Sequence, residues 1–358
     1  MRSPARACLA ALATLGLCVF ASFPLAAQGG GSGNIGDPRM DAVGRDPGCV
    51  TPTLVSAGGP APRNPQTLAI RWVGYSNFEL AYDGQIFLLD AYYDRGPGLV
   101  PLGVKAADIK KANAIVIGHG HSDHMSDAAS IGARTGAIVF GGPPTAEKLL
   151  TQKIDPKQVR NVTGKGDESF EFKGVKIQPV LGRHGEPPAA VTGPINQALA
   201  KVTTPLTEAE QAERREVGNR GTSDPRVLDQ GTIAYLLVFD NGFRLIYRDS
   251  GGTITDYERA AMKRIGGRVD VALVATFAAY LNTETAKRAL DFVQVYHPDV
   301  FLPAHHDAPM NSLWRTTEPM FQALHDANPN IITISKGYRQ PTCFNTADNI
   351  QRKQAGSK

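Results

Sequence analysis

AIVIGHGHSDHMSD, residues 114–127, sets three histidines and an aspartate within six positions, directly behind a short apolar run rich in β-branched residues. The run reads as a buried strand. Side chains alternate in an extended segment, so His119 and His121 point to the same side as the chain leaves that strand. If the chain then turns into a helix, Asp123 and His124 project from its first turn toward a second point nearby. One segment can thus serve two adjacent cations, and neutral imidazole with carboxylate suits zinc first, with manganese or iron also compatible.

Such a site calls for further ligands, and the chain places candidates where apolar runs end. His184 closes VKIQPVLGRH, Asp249 closes FRLIYRD and His305 follows DVFLPA. Each lies at the C-terminal end of an expected strand, the edge at which α/β architectures collect chemistry. His306, with Asp307 beside it, adjoins the last of these, and Tyr280 follows the apolar VATFAA; both are weaker candidates for substrate contact.

Around these residues the 358-residue chain has the composition of a globular protein, 42% hydrophobic and 20% charged, with a formal net charge of +4. No basic stripe with interleaved aromatics occurs, so nucleic acid is not an expected partner; a small-molecule substrate is, and no oligomeric state is assigned. Residues 1–27 combine Arg2 and Arg6 with the apolar ACLAALATLGLCVFASFPLAA. That pattern is expected to be a secretory signal peptide, placing the mature protein in the periplasm or outside the cell with no stable membrane span. A membrane anchor is the alternative, since the run is close to the lower length for spanning a bilayer.

Residues 28–65, rich in Gly and Pro, are expected to be an irregular leader, ordered in part at most. One large domain is expected over 66–340, interrupted by an insertion or lid at 185–230, with a C-terminal tail at 341–358. Asp83-Gly84 signals a hairpin, and SFEFKGVKIQPVLG a second one. Two halves, each strand-rich and then alternating helix with strand, suggest sheets packed on sheets with helices outside. Cys49 and Cys343 remain after signal removal, and pairing and two free thiols are both open.

The series H-x-H-x-D-H, a lone His, an Asp behind an apolar strand and a late P-x-H resembles the metallo-β-lactamase-fold hydrolase superfamily. IRWVGYSNFELAYDGQIFLLD (70–90) and FLPAHHD (301–307) are most similar to the branch containing ascorbate-6-phosphate lactonase and N-acylphosphatidylethanolamine phospholipase D. The resemblance covers about residues 67–335 and implies an α/β fold, a four-layer αββα sandwich with metals in the cleft between the sheets. It implies two divalent ions, one on His119, His121 and His184, the other on Asp123, His124 and His305, bridged by Asp249. It further implies a metal-bridging hydroxide, positioned by Asp123 as the catalytic residue, that cleaves an ester, lactone or phosphodiester. A β-lactam or amide hydrolase, and a non-hydrolytic iron-dependent oxidoreductase or metal-binding protein of the same fold, are the alternatives. Three positions depart from the branch: Tyr75 stands where histidine is frequent, Arg248 where glycine precedes the bridging aspartate, and Gly118 in place of a more usual threonine. Neither a G-x-S-x-G elbow nor a P-loop occurs.

Overall fold

Strands buried on both faces read as continuous apolar runs, because successive side chains enter opposite layers. In β1 (Thr67–Trp72), Leu68, Ile70 and Trp72 enter one apolar cluster and Ala69 another. β2 (Phe78–Tyr82), β3 (Gln85–Leu89), β4 (Ala114–Val116) and β5 (Ile138–Gly141) divide in the same way, and β6 (Val159–Asn161) closes this edge. β1 to β3 form an antiparallel meander, whereas β4 to β6 continue parallel to β3. The turn between β2 and β3 is the expected one: Asp83 and Gly84 both have positive φ, 44° and 77°, as a two-residue type I′ turn requires.

The second sheet repeats the plan. β7 (Phe170–Phe172), β8 (Val175–Leu181), β9 (Ile233–Phe239) and β10 (Arg244–Arg248) are antiparallel, and β11 (Val271–Ala275), β12 (Val300–Ala304) and β13 (Ile332–Thr333) follow in parallel. β14 (Pro341–Asn345) then returns to the first sheet, so among the described residues each sheet has seven strands. The computed structural model describes residues 37–166, 168–186, 205–276, 283–307 and 317–348.

After α1 (Pro38–Asp41), a single turn, come α2 (Ser122–Met125), α3 (Ala128–Thr135) and α4 (Pro143–Leu150), which cover the outer face of the first sheet through Met125, Ile131 and Leu149. α5 (Glu208–Asn219) belongs to the insertion and opens with a capping box between Thr207 and Glu210. α6 (Asp256–Arg264), α7 (Thr283–Tyr296) and α8 (Glu318–Ala327) cover the second sheet through Met262, Phe292 and Phe321. The largest core lies between the sheets, where Phe78, Phe87, Tyr235 and Tyr247 are fully buried. Each such side chain contributes about 1.5–3 kcal/mol. This is the four-layer αββα sandwich.

Two expected boundaries move. Pro341–Asn345, expected in the tail, is an edge strand, because its apolar residues complete both layers beside β1. The described part of the leader is also built in: Arg39 is buried against Asp37 and Asp270, and the Glu79 carboxylate accepts from the Val55 and Ser56 amides at 2.8 Å each. Residues 1–36, with the expected signal, and Tyr280 lie outside the described residues. Among the described residues, no helix is long and apolar enough to cross a membrane.

Cys49 and Cys343 are joined in a disulfide that spans 294 positions of sequence and ties the leader to β14. A crosslink over so long a loop mainly restricts the unfolded chain. Reduction, or Cys49→Ala with Cys343→Ala, is therefore expected to lower unfolding free energy by about 3–5 kcal/mol. Urea unfolding with and without reductant measures the difference, and coincident transitions would contradict it.

Candidate metal centre

β8 and β10 both run antiparallel to β9, so their C-terminal ends share one edge with those of β11 and β12. β3 and β4 are parallel neighbours and end together in the facing sheet. This topology carries His184, Asp249 and His305 from one sheet to the loop holding His119, His121, Asp123 and His124 in the other. The sheets are tied here by hydrogen bonds: the Ile233 amide donates to Gly118 O at 2.7 Å, and the Tyr235 and Tyr247 hydroxyls donate to Ile117 O and Ser76 O at 3.0 and 3.1 Å.

Three ligand groups result, each with its donor atoms within 4.8 Å of one another: His119, His121 and His184; His119, His124 and Asp249; and Asp123, His124 and His305. The middle group shares His119 with the first and His124 with the third, and Asp249 touches both of these rings. Its Oδ2 lies 2.5 Å from His119 Nδ1 and 3.3 Å from His124 Nδ1. Buried polar atoms ordinarily find partners, yet Asp249 Oδ1 and His184 Nδ1 are buried without a hydrogen-bond partner among the described residues. Histidine and carboxylate donors converging on unsatisfied atoms fit divalent cations.

Burial pushes the His119 and His121 imidazoles down, neighbouring imidazoles add to it, and His184 falls to about 3 for the same reasons. These three are neutral and ready to act as ligands. Burial opposes ionisation of Asp123 as well, but His124 and His305 outweigh it and hold the carboxyl well below its usual range. His124 is the exception: burial would lower it, but Asp123, Asp90 and Asp249 together raise it to about 10.

Asp90 is the residue that sequence reasoning missed. It ends β3, accepts from the Ser76 hydroxyl at 2.6 Å and from the Gly118 amide at 2.9 Å, and contacts His124 Nδ1 at 2.6 Å. With Nδ1 so engaged, His124 Nε2 faces Asp123 Oδ2 at 3.6 Å. A carboxylate on one imidazole nitrogen orients the other toward a cation. The signal was present in FLLD, an acid ending an apolar strand, the same context that singled out Asp249.

The departures acquire reasons. A Cβ on Gly118 would stand 1.9 Å from Asp249 Cγ, so the close approach of the two sheets excludes threonine. Arg248 is fully buried; its Nε donates to Glu258 at 2.7 Å, its Nη2 to Thr253 O and Arg183 O at 3.1 and 3.2 Å, and its guanidinium lies 4.7 Å above Phe292. It therefore binds the segment before His184 to the segment after Asp249. Tyr75 packs its ring 4.9 Å from that of His305, and its carbonyl accepts from the His305 amide at 2.7 Å. His306 is buried in a stack on Trp72, with ring centroids 4.2 Å apart, which is a packing position.

Asp90→Ala is expected to weaken metal binding about 10–100-fold, with Asp90→Asn retaining part of the affinity, as chelator competition would measure. A cation taking His124 must displace the proton held below pH 10. Metal uptake by the apoprotein between pH 7 and 9 is therefore expected to release close to one proton, and affinity to rise with pH across that window. Calorimetry in buffers of different ionisation enthalpy reads the proton, and buffer-independent heats would contradict the assignment.

The model for the beta-lactamase superfamily domain matches residues 86–306, more than half of the chain. A UPF0173 metal-dependent hydrolase of Methanopyrus kandleri is 29% identical over 117 residues, covering 33% of this chain and 47% of that protein. One of Lawsonia intracellularis is 31% identical over 116 residues, 32% of this chain and 49% of its own. The chain thus spans about half the length of the curated relatives it matches. Igni18, a metallo hydrolase of the hyperthermophilic archaeon Ignicoccus hospitalis, shares the fold at a TM-score of 0.54 and 16% identity over 78% of this chain and 98% of that one. With the family model spanning both the His119–His124 loop and His305, the chain belongs to the beta-lactamase superfamily, built on its metallo-hydrolase fold.

Proposed function

We propose that the protein is an exported, metal-dependent hydrolase that holds two divalent cations, zinc in the first place, and cleaves an ester, lactone or phosphodiester. The carrying observation is the pair of three-ligand groups linked by a third, in which the buried Asp249 carboxylate lies against one histidine of each, His119 and His124. In this reading His119, His121 and His184 would hold one ion and Asp123, His124 and His305 the other, while Asp249, grouped with His119 and His124, would serve both. Two such ions supply Lewis acidity to the oxygen under attack and lower the pKa of water toward neutrality.

The chain's own groups do the rest. Asp123 stays ionised, 3.3 Å from His305 Nε2. Its carboxylate can accept a hydrogen bond from the attacking water and so fix the direction of the lone pair. Asp90 and Ser76 keep His124 in one orientation. Asp249 is buried, so its carboxylate is shielded from bulk solvent. The motifs at 70–90 and 301–307 favour the lactonase and phospholipase D-like branch. Export is supported by the leader composition and by the Cys49–Cys343 bond, since disulfides persist in oxidising compartments.

Metal analysis of the purified protein is expected to find near two equivalents of zinc or manganese; iron alone, or one weakly held equivalent, would count against hydrolysis. Asp249→Ala is expected to abolish turnover and to reduce metal content. A screen of lactones, phosphodiesters, acyl amides and β-lactams identifies the bond cleaved. Retained activity with both metals in place would remove the bridging role.

A further inference from the structure

The insertion at 185–230 enters the ligand shell from outside, and its described part, residues 205–230, does more than cover the site. Thr222 donates its amide to Gly120 O at 2.7 Å, between His119 and His121. Gly221 lies against the next peptide: a Cβ there would stand 2.3 Å from Ser122 N and 2.5 Å from Ser122 Cα. The fit is mutual, because a Cβ on Gly120 would meet Thr222 Cγ2 at 2.5 Å. Two glycines, one on each segment, thus allow the insertion backbone to interlock with the metal loop.

Arg220 adds a charged tie. Its Nη1 donates to Asp127 Oδ1 at 2.7 Å, while Asp127 Oδ2 accepts from the Tyr93 and Asp94 amides at 2.7 and 2.8 Å. Asp127 is fully buried at the end of the metal-loop helical turn, so the pair joins insertion, metal loop and the segment after β3. Farther along, Leu228 O accepts from the His184 amide at 3.0 Å. Val217 packs with Tyr75, whose carbonyl holds the His305 amide. One short stretch therefore touches the backbone of the His119–His124 loop and of His184, and packs on the side chain of the residue holding His305.

We propose that residues 217–228, through Arg220, Gly221 and Thr222 above all, are positioning residues that set the spacing between the metal loop and His184, so that the insertion governs metal affinity rather than acting only as a lid over substrate. A lid would contact the cleft and part from it; this stretch is interlocked with ligand backbone at atomic contact. The inference rests on the metal reading of the site, and the test separates the two.

The full mature chain is stripped and titrated with zinc alone against a chelator, and separately loaded with cobalt(II) to record its ligand-field spectrum. Gly221→Ala and Arg220→Gln are expected to weaken zinc binding about tenfold or more and to alter the cobalt spectrum. Arg220→Lys is expected to restore part of the affinity, and the zinc loss in Arg220→Gln to exceed what its lower apoprotein melting temperature accounts for. Arg214→Ala, whose guanidinium donates to Pro97 O at 3.2 Å rather than to a segment carrying a ligand, is expected to bind zinc normally. Should Gly221→Ala fail to fold, the Arg220 pair carries the test. Wild-type zinc affinity and an unchanged cobalt spectrum in the Arg220→Gln protein would overturn the inference, as would an affinity loss that merely follows lost apoprotein stability. A wild-type chain that takes up no zinc would overturn the metal reading itself, and this inference with it.

Discussion

The contact on which the rest depends is the Asp249 carboxylate pressed between two imidazoles of the opposite sheet. It reaches His119 at 2.5 Å and His124 at 3.3 Å from the end of β10 and is almost fully buried. A buried carboxylate without a counter-charge is costly, and burial does push Asp249 upward, with His124 the largest opposing influence. His124, raised to about 10 by its carboxylate neighbours, supplies that counter-charge while it carries a proton. Cations entering between these groups would replace the proton as the counter-charge. The same contact dictates Gly118, since the carboxylate occupies the volume a side chain would fill. It also accounts for the sheet-to-sheet hydrogen bonds from Ile233, Tyr235 and Tyr247, which fix the distance the contact requires.

The electrostatics are asymmetric across the site. On the side of His121 and His184, burial and neighbouring imidazoles outweigh the pull of Asp123 and Asp249 and lower both rings. On the side of His124 three carboxylates, Asp123, Asp90 and Asp249, surround one ring and keep it charged. The two halves of the site therefore differ in proton content before any cation binds. Arg248 contributes from behind: its buried guanidinium, paired with Glu258, is a further influence that lowers Asp249. A glycine there could supply neither that charge nor the hydrogen bonds to Arg183 O and Thr253 O.

Much of this was legible in the sequence, and for a physical reason. Ligands sit at strand ends, and strand ends are written as an apolar run followed by a polar residue, which exposed His184, Asp249 and His305 along with H-x-H-x-D-H. Asp90 carries the same mark, but the 70–90 stretch that it ends holds no histidine to set it in a metal site. The disulfide was undecidable, since pairing across 294 positions depends on which edge β14 joins. β14 itself was hidden because PTCFN is short and lies beyond the last helix–strand repeat. The role of residues 217–228 was illegible for a different reason. Their contacts run through backbone amides, carbonyls and the missing side chains of Gly120 and Gly221, and such contacts leave no residue-type signature beyond glycine itself.

The metal edge also collects backbone strain. Tyr75, Asp90 and His305 have positive φ values of 50°, 57° and 58°, a region that costs a non-glycine residue about 1–2 kcal/mol. Each is held by its neighbours. Asp307 accepts the Tyr75 amide at 2.9 Å and pairs with Arg95 at 2.9 Å; Tyr75 O accepts the His305 amide; Val116 O accepts the Asp90 amide at 2.8 Å. Strain that persists at a site implies surroundings that over-determine it. Here the surroundings are the ends of β1, β3 and β12, whose other residues are packed in the apolar layers. The left-handed turn at His305 re-aims a side chain that an extended strand would have directed elsewhere, and the same holds for Asp90 beneath His124. The sandwich core thus stabilises, at a distance, a ligand geometry that its own strands would not adopt if left to their regular pleat.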